Sequence, residues 1–194
     1  MAVLAGRHQL GPDRGRIVLR TFRDGLAAQA GHDLTIEATR WSGVLAVNED
    51  LSPAGLEVRI DMGALVVRDG TGGVKPLTDR DRREIAVTVR KVLTSDRHPE
   101  AVFVAARFEP KAGEGGEISG TLTIRGQGRP LRLRVSQTGA DRYHAEGSYS
   151  LSTGSSRTPR SSARCGSVTP SMSRSTLTCR RRPKTRGRAH DQRL

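Results

Sequence analysis

Ile118-Ser119-Gly120-Thr121-Leu122-Thr123-Ile124 and Leu131-Arg132-Leu133-Arg134-Val135 flank the segment Arg125-Gly126-Gln127-Gly128-Arg129-Pro130. Each flank alternates apolar and polar residues at period two, the pattern of a half-buried strand. The segment between them has glycines free to take positive φ, so it reads as a tight hairpin turn. Two antiparallel strands with one apolar face each therefore set the fold class.

The same pattern continues outward. Leu56-Glu57-Val58-Arg59-Ile60-Asp61-Met62 alternates cleanly, as does Tyr143-His144-Ala145-Glu146-Gly147-Ser148-Tyr149-Ser150-Leu151. Ala145 and Gly147 fall on the apolar side of the latter, which points to a tapered or crowded interior. Weaker strands are expected at Ile17–Phe22, Leu34–Thr39, Val44–Val47 and Ala101–Phe108. Leu34–Val47 reads as one long strand bent near Trp41-Ser42-Gly43. Turns are expected at Asn48-Glu49-Asp50, Ser52-Pro53 and Lys111–Gly116. One helix interrupts the strands. Thr78 is its N-cap, Asp79 and Asp81 lie in its first turn, and Ile85, Val89, Val92 and Leu93 share one face. Arg97-His98-Pro99 ends it. Strands in hairpins with one packed helix give an all-β domain, a barrel or a sandwich, and alternation does not choose between them.

Charge and composition divide the 194-residue chain in two. Its formal charge is +13, yet Ser152–Leu194 holds ten Arg, one Lys and one Asp, while the first 151 residues hold 22 basic and 19 acidic groups. All six aromatics (Phe22, Trp41, Phe103, Phe108, Tyr143, Tyr149) precede residue 152, and both cysteines (Cys165, Cys179) follow it. Residues 1–151 thus read as the β domain, and 152–194 as a basic, disordered Arg/Ser-rich tail. A disulfide between the two cysteines would not staple the domain. Nucleic-acid attraction would belong to the tail and carry no sequence preference. No apolar run reaches the length of a membrane helix. Ala2-Val3-Leu4-Ala5 is shorter than a signal-peptide core, so the chain as written reads as cytoplasmic, with export open if the start codon lies further upstream.

Few residues carry chemistry. There is no phosphate-binding glycine loop, no H-E-x-x-H and no G-x-S-x-G. His8, His32, His98, His144 and His190 fall on unrelated elements, so no metal and no other cofactor is expected. Gly31-His32-Asp33 is the one arrangement resembling a general base with an orienting carboxylate, and it reads equally as a turn leading into a strand. Lys75-Pro76-Leu77-Thr78-Asp79 opens the helix, but Asp79 and Asp81 would repel an anion there. The apolar faces are the larger feature. Phe22, Val58, Ile60, Phe103, Leu122, Ile124, Leu133 and Val135, with Leu56 and Tyr149, line a cavity or fill a core. The strand pattern places them inward and Arg59 and Arg132 outward.

Several segments together resemble the YceI-like family of lipid-binding proteins. Gly6–Asp13 is similar to the family's opening strand and turn, and Trp41-Ser42-Gly43-Val44-Leu45 to its F-x-G-x-(I/L) strand. Arg97-His98-Pro99-Glu100-Ala101-Val102-Phe103 resembles its Y-P-x-I-x-F segment. Gly120–Leu133 resembles its G-x-L-T-(I/L)-(R/H)-G-x-(T/S)-(R/K)-P-V-x-L hairpin, with Gly128 in place of the hydroxyl residue. Gly31-His32-Asp33 and Gly72-Gly73-Val74-Lys75-Pro76-Leu77 resemble a bacterial subgroup with a longer central insertion. The resemblance covers residues 6–151. It implies an eight-stranded, lipocalin-like antiparallel barrel that holds a long isoprenoid chain, a polyprenyl lipid or quinone, with no catalytic residues. A filled barrel that binds a protein partner, an enzyme built on His32 and Asp33, and a homodimer stay open beside that reading.

The resemblance stops where the composition changes. Read from the third base of each codon, Ala163–Arg180 permits the string ALRVRDPVDVEVDADLP, which alternates like the family's closing strand. The tail is therefore expected to be an out-of-frame product. The barrel is expected to lack its last strand, leaving two unpaired edges.

Overall fold

The structure is a computed structural model that describes residues 4–22, 31–73, 75–111, 115–139 and 142–150, together with the backbone of 164–170. In chain order the strands are β1 (Gly6–Leu10), β2 (Gly15–Arg20), β3 (Asp33–Ala38), β4 (Trp41–Val47), β5 (Pro53–Asp61), β6 (Leu65–Thr71), β7 (Glu100–Lys111), β8 (Gly115–Ile124), β9 (Gln127–Gly139), β10 (Arg142–Gly147) and β11 (Arg164–Pro170). Helix α1 (Asp79–Val92) lies between β6 and β7, and a 3₁₀ turn, Met62–Ala64, lies between β5 and β6.

The pairing order β1-β4-β5-β7-β8-β9-β10-β11-β2-β3-β6 is that of a curled antiparallel sheet. Three of its long strands are bent. β3 pairs with β6 and β2, whereas β4, two residues after β3, pairs with β5 and β1. The chain thus bends at Thr39-Arg40, just before Trp41-Ser42-Gly43. The 3₁₀ turn bends β5 into β6, and the Gly11–Arg14 turn bends β1 into β2. Counting each bent pair once gives eight long strands, and the ladder runs from β2 round to β10 as a lipocalin-like barrel wall.

The remaining gap is where the structure corrects the sequence. β11 lies inside the expected tail and pairs with β10 through Ala145↔Val168 and Glu146↔Ser167. It also pairs with β2 through five residue pairs, with a register shift between Cys165 and Val168. The physical reason is that a ladder is made by backbone N–H and C=O groups. Two open edges can capture a segment that has no apolar alternation. The rest of the tail, including Cys179 and His190, lies outside the described residues.

β6 was not foreseen either. Its Val66 is an exposed apolar residue on the outer face, so Leu65-Val66-Val67 does not alternate. Helix α1 packs along β6. Its N-terminus has the capping box expected of Thr78. Thr78 Oγ1 accepts from the Asp81 N–H at 3.2 Å, and an Asp81 carboxylate oxygen accepts from the Thr78 N–H at 2.8 Å. Ile85, Ala86 and Val89 pack on the core with Leu93, while Val92, expected on the same face, points to solvent. It sits at the rim of a stripe centred on Ala86, Val89 and Leu93.

Outside the barrel, charges cross the strands. Glu37 on β3 accepts from Arg16 Nε of β2 at 3.0 Å and from Arg68 Nε of β6 at 2.6 Å. The Arg16 hydrogen bond is the largest influence holding its carboxyl below the usual range, and partial burial opposes it. A lowered folded-state pKa stabilises the fold above the unfolded carboxylate's pKa. That stability is lost as pH falls through the folded value. Glu37→Gln is therefore expected to cost about 1 kcal/mol at neutral pH, since both arginines are half exposed and solvent screens them. Urea unfolding at falling pH should bring parent and variant together progressively once the pH drops below the unfolded carboxylate's range. A constant gap between them would show that the Glu37 charge contributes nothing.

Candidate functional site

The interior face is built by cross-strand pairs, because directly opposed residues share a face of the sheet. Val58 of β5 pairs with Gly43 and Phe103, and Phe103 pairs with Leu122. Ile118 pairs with Leu133, which pairs with Gly147, and Val135 pairs with Ala145. Ile17, Ala38 and Leu65 continue the band across β2, β3 and β6. The register matches the expectation. Val58 and Leu133 are 3% and 4% exposed, whereas the neighbouring side chains of Arg59 and Arg132 are 51% and 77% exposed.

Of the eight residues expected to line the interior, Val58, Phe103, Leu122, Ile124 and Leu133 are buried in one cluster, with Ile60 and Val135 half-buried against it. Phe22 does not join them. It lies two residues beyond the end of β2, half-buried and outside the cluster. Sequence reading missed Ile17, Ile36, Trp41, Met62, Leu65, Val67 and Leu131, all buried in the same cluster. Burial pushes the Tyr149 phenol up, partly offset by the charges of Arg129 and Arg125.

Two inward glycines shape this interior. A Cβ on Gly120 would stand 2.8 Å from Phe103 Cζ, so the phenyl ring lies over that glycine. A Cβ on Gly147 would meet Leu133 Cδ2 at 2.8 Å and Leu131 Cδ1 at 3.1 Å. The large side chains thus fold down onto backbone floors, a packing used where a sheet curves strongly.

The other two sequence candidates meet outside the barrel. His32 Nε2 lies 2.8 Å from the Lys75 carbonyl oxygen and donates to it, tying the Gly31-His32-Asp33 turn to the loop before α1. The imidazole lies over Gly73, where a Cβ would collide with the ring. His32, Lys75, Pro76, Leu77, Asp81, Glu84 and Ile85 line an open cleft of ≈ 410 Å³. Asp81 is committed to the helix cap, and its carboxyl is held low chiefly by the Thr78 hydroxyl. These groups act as a strut and a cap. A second concavity, of ≈ 480 Å³, lies over β7–β9 with Arg107, Glu117, Ser119 and Arg132 on its rim. Among the described residues no three His, Cys, Asp or Glu side chains cluster as metal ligands. No described helix is long and apolar enough to cross a membrane.

The barrel order and its apolar interior agree with what sequence comparison finds over residues 21–167, a match to the YceI-like domain. The chain belongs to the YceI-like domain family. Its match runs past residue 151, the limit of the resemblance read from the sequence, and reaches into β11. Burkholderia cenocepacia BcnA is similar in structure, with a TM-score of 0.51 and 16% identity, over 79% of this chain and 92% of that one. A cysteine variant of the Campylobacter jejuni YCEI protein carrying a monobromobimane guest gives a TM-score of 0.51 and 15% identity, over 70% and 83%. Against another structure of that YCEI protein this YceI-like chain spans 66% of the partner's length, with a TM-score of 0.46. No curated protein matches the sequence. At these identities the likeness establishes the barrel.

Proposed function

We propose that this YceI-like barrel binds a long apolar lipid of isoprenoid type, a polyprenyl lipid or quinone, in its interior without catalysis. The observation that carries the reading is the apolar band running round the inner face, with Phe103, Leu131 and Leu133 laid over the floors of Gly120 and Gly147. Each buried methylene is worth about 0.8 kcal/mol, so a few isoprene units supply the affinity without a charged group. The commitment of His32 to the Lys75 carbonyl supports a non-enzymatic role.

A filled barrel acting as a binding module is the second reading. It is favoured by the position of both described concavities outside the strand ring. Solvent extraction of the purified protein followed by mass spectrometry separates the two. The carrier reading expects one prenyl-chain lipid species in near-equal amount to protein, and an empty extract supports the filled barrel. Leu133→Trp places an indole in the band and is expected to lower lipid content at least tenfold while the circular dichroism spectrum stays β-rich. Unchanged lipid content in that variant would remove Leu133 from the site.

We also read the gene as out of frame from near residue 152. The support is the change of composition there and the alternating string that Ala163–Arg180 permits. Against it stand the pairing of β11 with both β10 and β2 and the family match that continues to residue 167.

A further inference from the structure

Trp41 opens β4 opposite Ile60, which in turn lies opposite Ala101. Val58, two residues from Ile60, is on the same face, so the indole stands on the interior side of the wall. Trp41 is 7% exposed and belongs to the core cluster. Its Nε1–H is buried and has no acceptor among the described residues. An indole nitrogen can only donate, and a buried donor without an acceptor is rare in folded proteins. Its natural acceptor is a ligand atom, a water or a residue beyond the described ones.

We propose that Trp41 anchors the polar end of the barrel's ligand, and that this end is a neutral carbonyl of quinone type. The inference rests on the apolar-ligand reading above and narrows it. One neutral donor matches one neutral acceptor, whereas a phosphate or carboxylate head would call for several donors or a cation. With the carbonyl on Trp41, the hydrocarbon tail runs along Val58, Phe103 and Leu122, which follow Trp41 on the same inner face. The competing occupant is a single buried water.

The chain has one tryptophan, so its fluorescence reports this position alone. The probes are a decyl-substituted benzoquinone and decylbenzene, which shares the tail and lacks the carbonyls. Calorimetry on the full chain is expected to show the quinone binding about tenfold tighter, the worth of one hydrogen bond. Trp41→Phe should bring the quinone down to the decylbenzene affinity and leave decylbenzene unchanged, which also shows that the variant is folded. In the parent protein the quinone should quench Trp41 emission at stoichiometric concentration. Equal affinities in the parent, or equal weakening of both probes in Trp41→Phe, would overturn the anchor and leave a water as the occupant. Binding of neither probe would overturn the lipid-binding reading itself.

Discussion

Phe103→Ala is expected to lower the unfolding free energy by about 3–5 kcal/mol, the usual cost of deleting a buried phenyl ring. Phe103 is 5% exposed and sits between Val58 and Leu122 in the middle of the inward band. Its ring covers Gly120, so truncation exposes a backbone floor as well as leaving a void. The void is apolar, and an apolar ligand should enter it. Decylbenzene at one hundred times its dissociation constant would restore about 2.7 kcal/mol by mass action. Urea unfolding with and without the ligand measures both quantities. A loss below about 1 kcal/mol would show that the ring is not packed as described. A full loss without rescue would count against an interior that admits ligands.

The second large effect concerns the seam at β11. Replacing Ala163–Cys179 with ALRVRDPVDVEVDADLP is expected to raise the melting temperature by about 10–20 °C. The replacement supplies four valines of one parity, at positions 166, 170, 172 and 174, where residues 163–179 now hold Val168 alone. Burial of each is worth about 1.5 kcal/mol, and 1 kcal/mol moves the melting point of a chain this size by about 2–4 °C. Differential scanning calorimetry of the two chains makes the comparison. An unchanged melting point would mean that the present β11 already closes the wall as well as an alternating strand can. Resequencing the gene through this region tests the frame directly.

The parts of the fold that were legible are those whose cause is local. The hairpin could be read because two alternating runs flank a turn, but the turn is shorter than Arg125–Pro130: Arg125 and Gly126 take positive φ, +56° and +71°, and Gly128 already lies in β9. The α1 cap could be read because Thr78 and Asp81 are three residues apart. β6 was hidden by Val66, an apolar residue that solvent tolerates on an outer face. β11 was hidden because backbone pairing leaves no mark on side-chain pattern. Most of the interior followed from parity, since Arg59 and Arg132 had to be outside. Phe22 failed because it lies past its strand's end, where parity no longer binds. His32 and Lys75 meet across 43 positions, and the missing acceptor of Trp41 is a property of everything folded around it. Neither has a sequence signal.

The pairing of β2 with β11 also has a consequence in time. Ile17 leaves the ribosome early, and its partner Val168 is made about 150 residues later. At about 5–20 residues per second the edge of β2 waits roughly ten to thirty seconds for that partner. Every other described strand pair joins segments made sooner after one another, so the wall grows strand by strand from β2 towards β10 and the seam forms last. Throughout that interval the nascent chain offers open strand edges, and whatever shields those edges, a chaperone or an early-bound lipid, sets how much of the protein reaches its closed form.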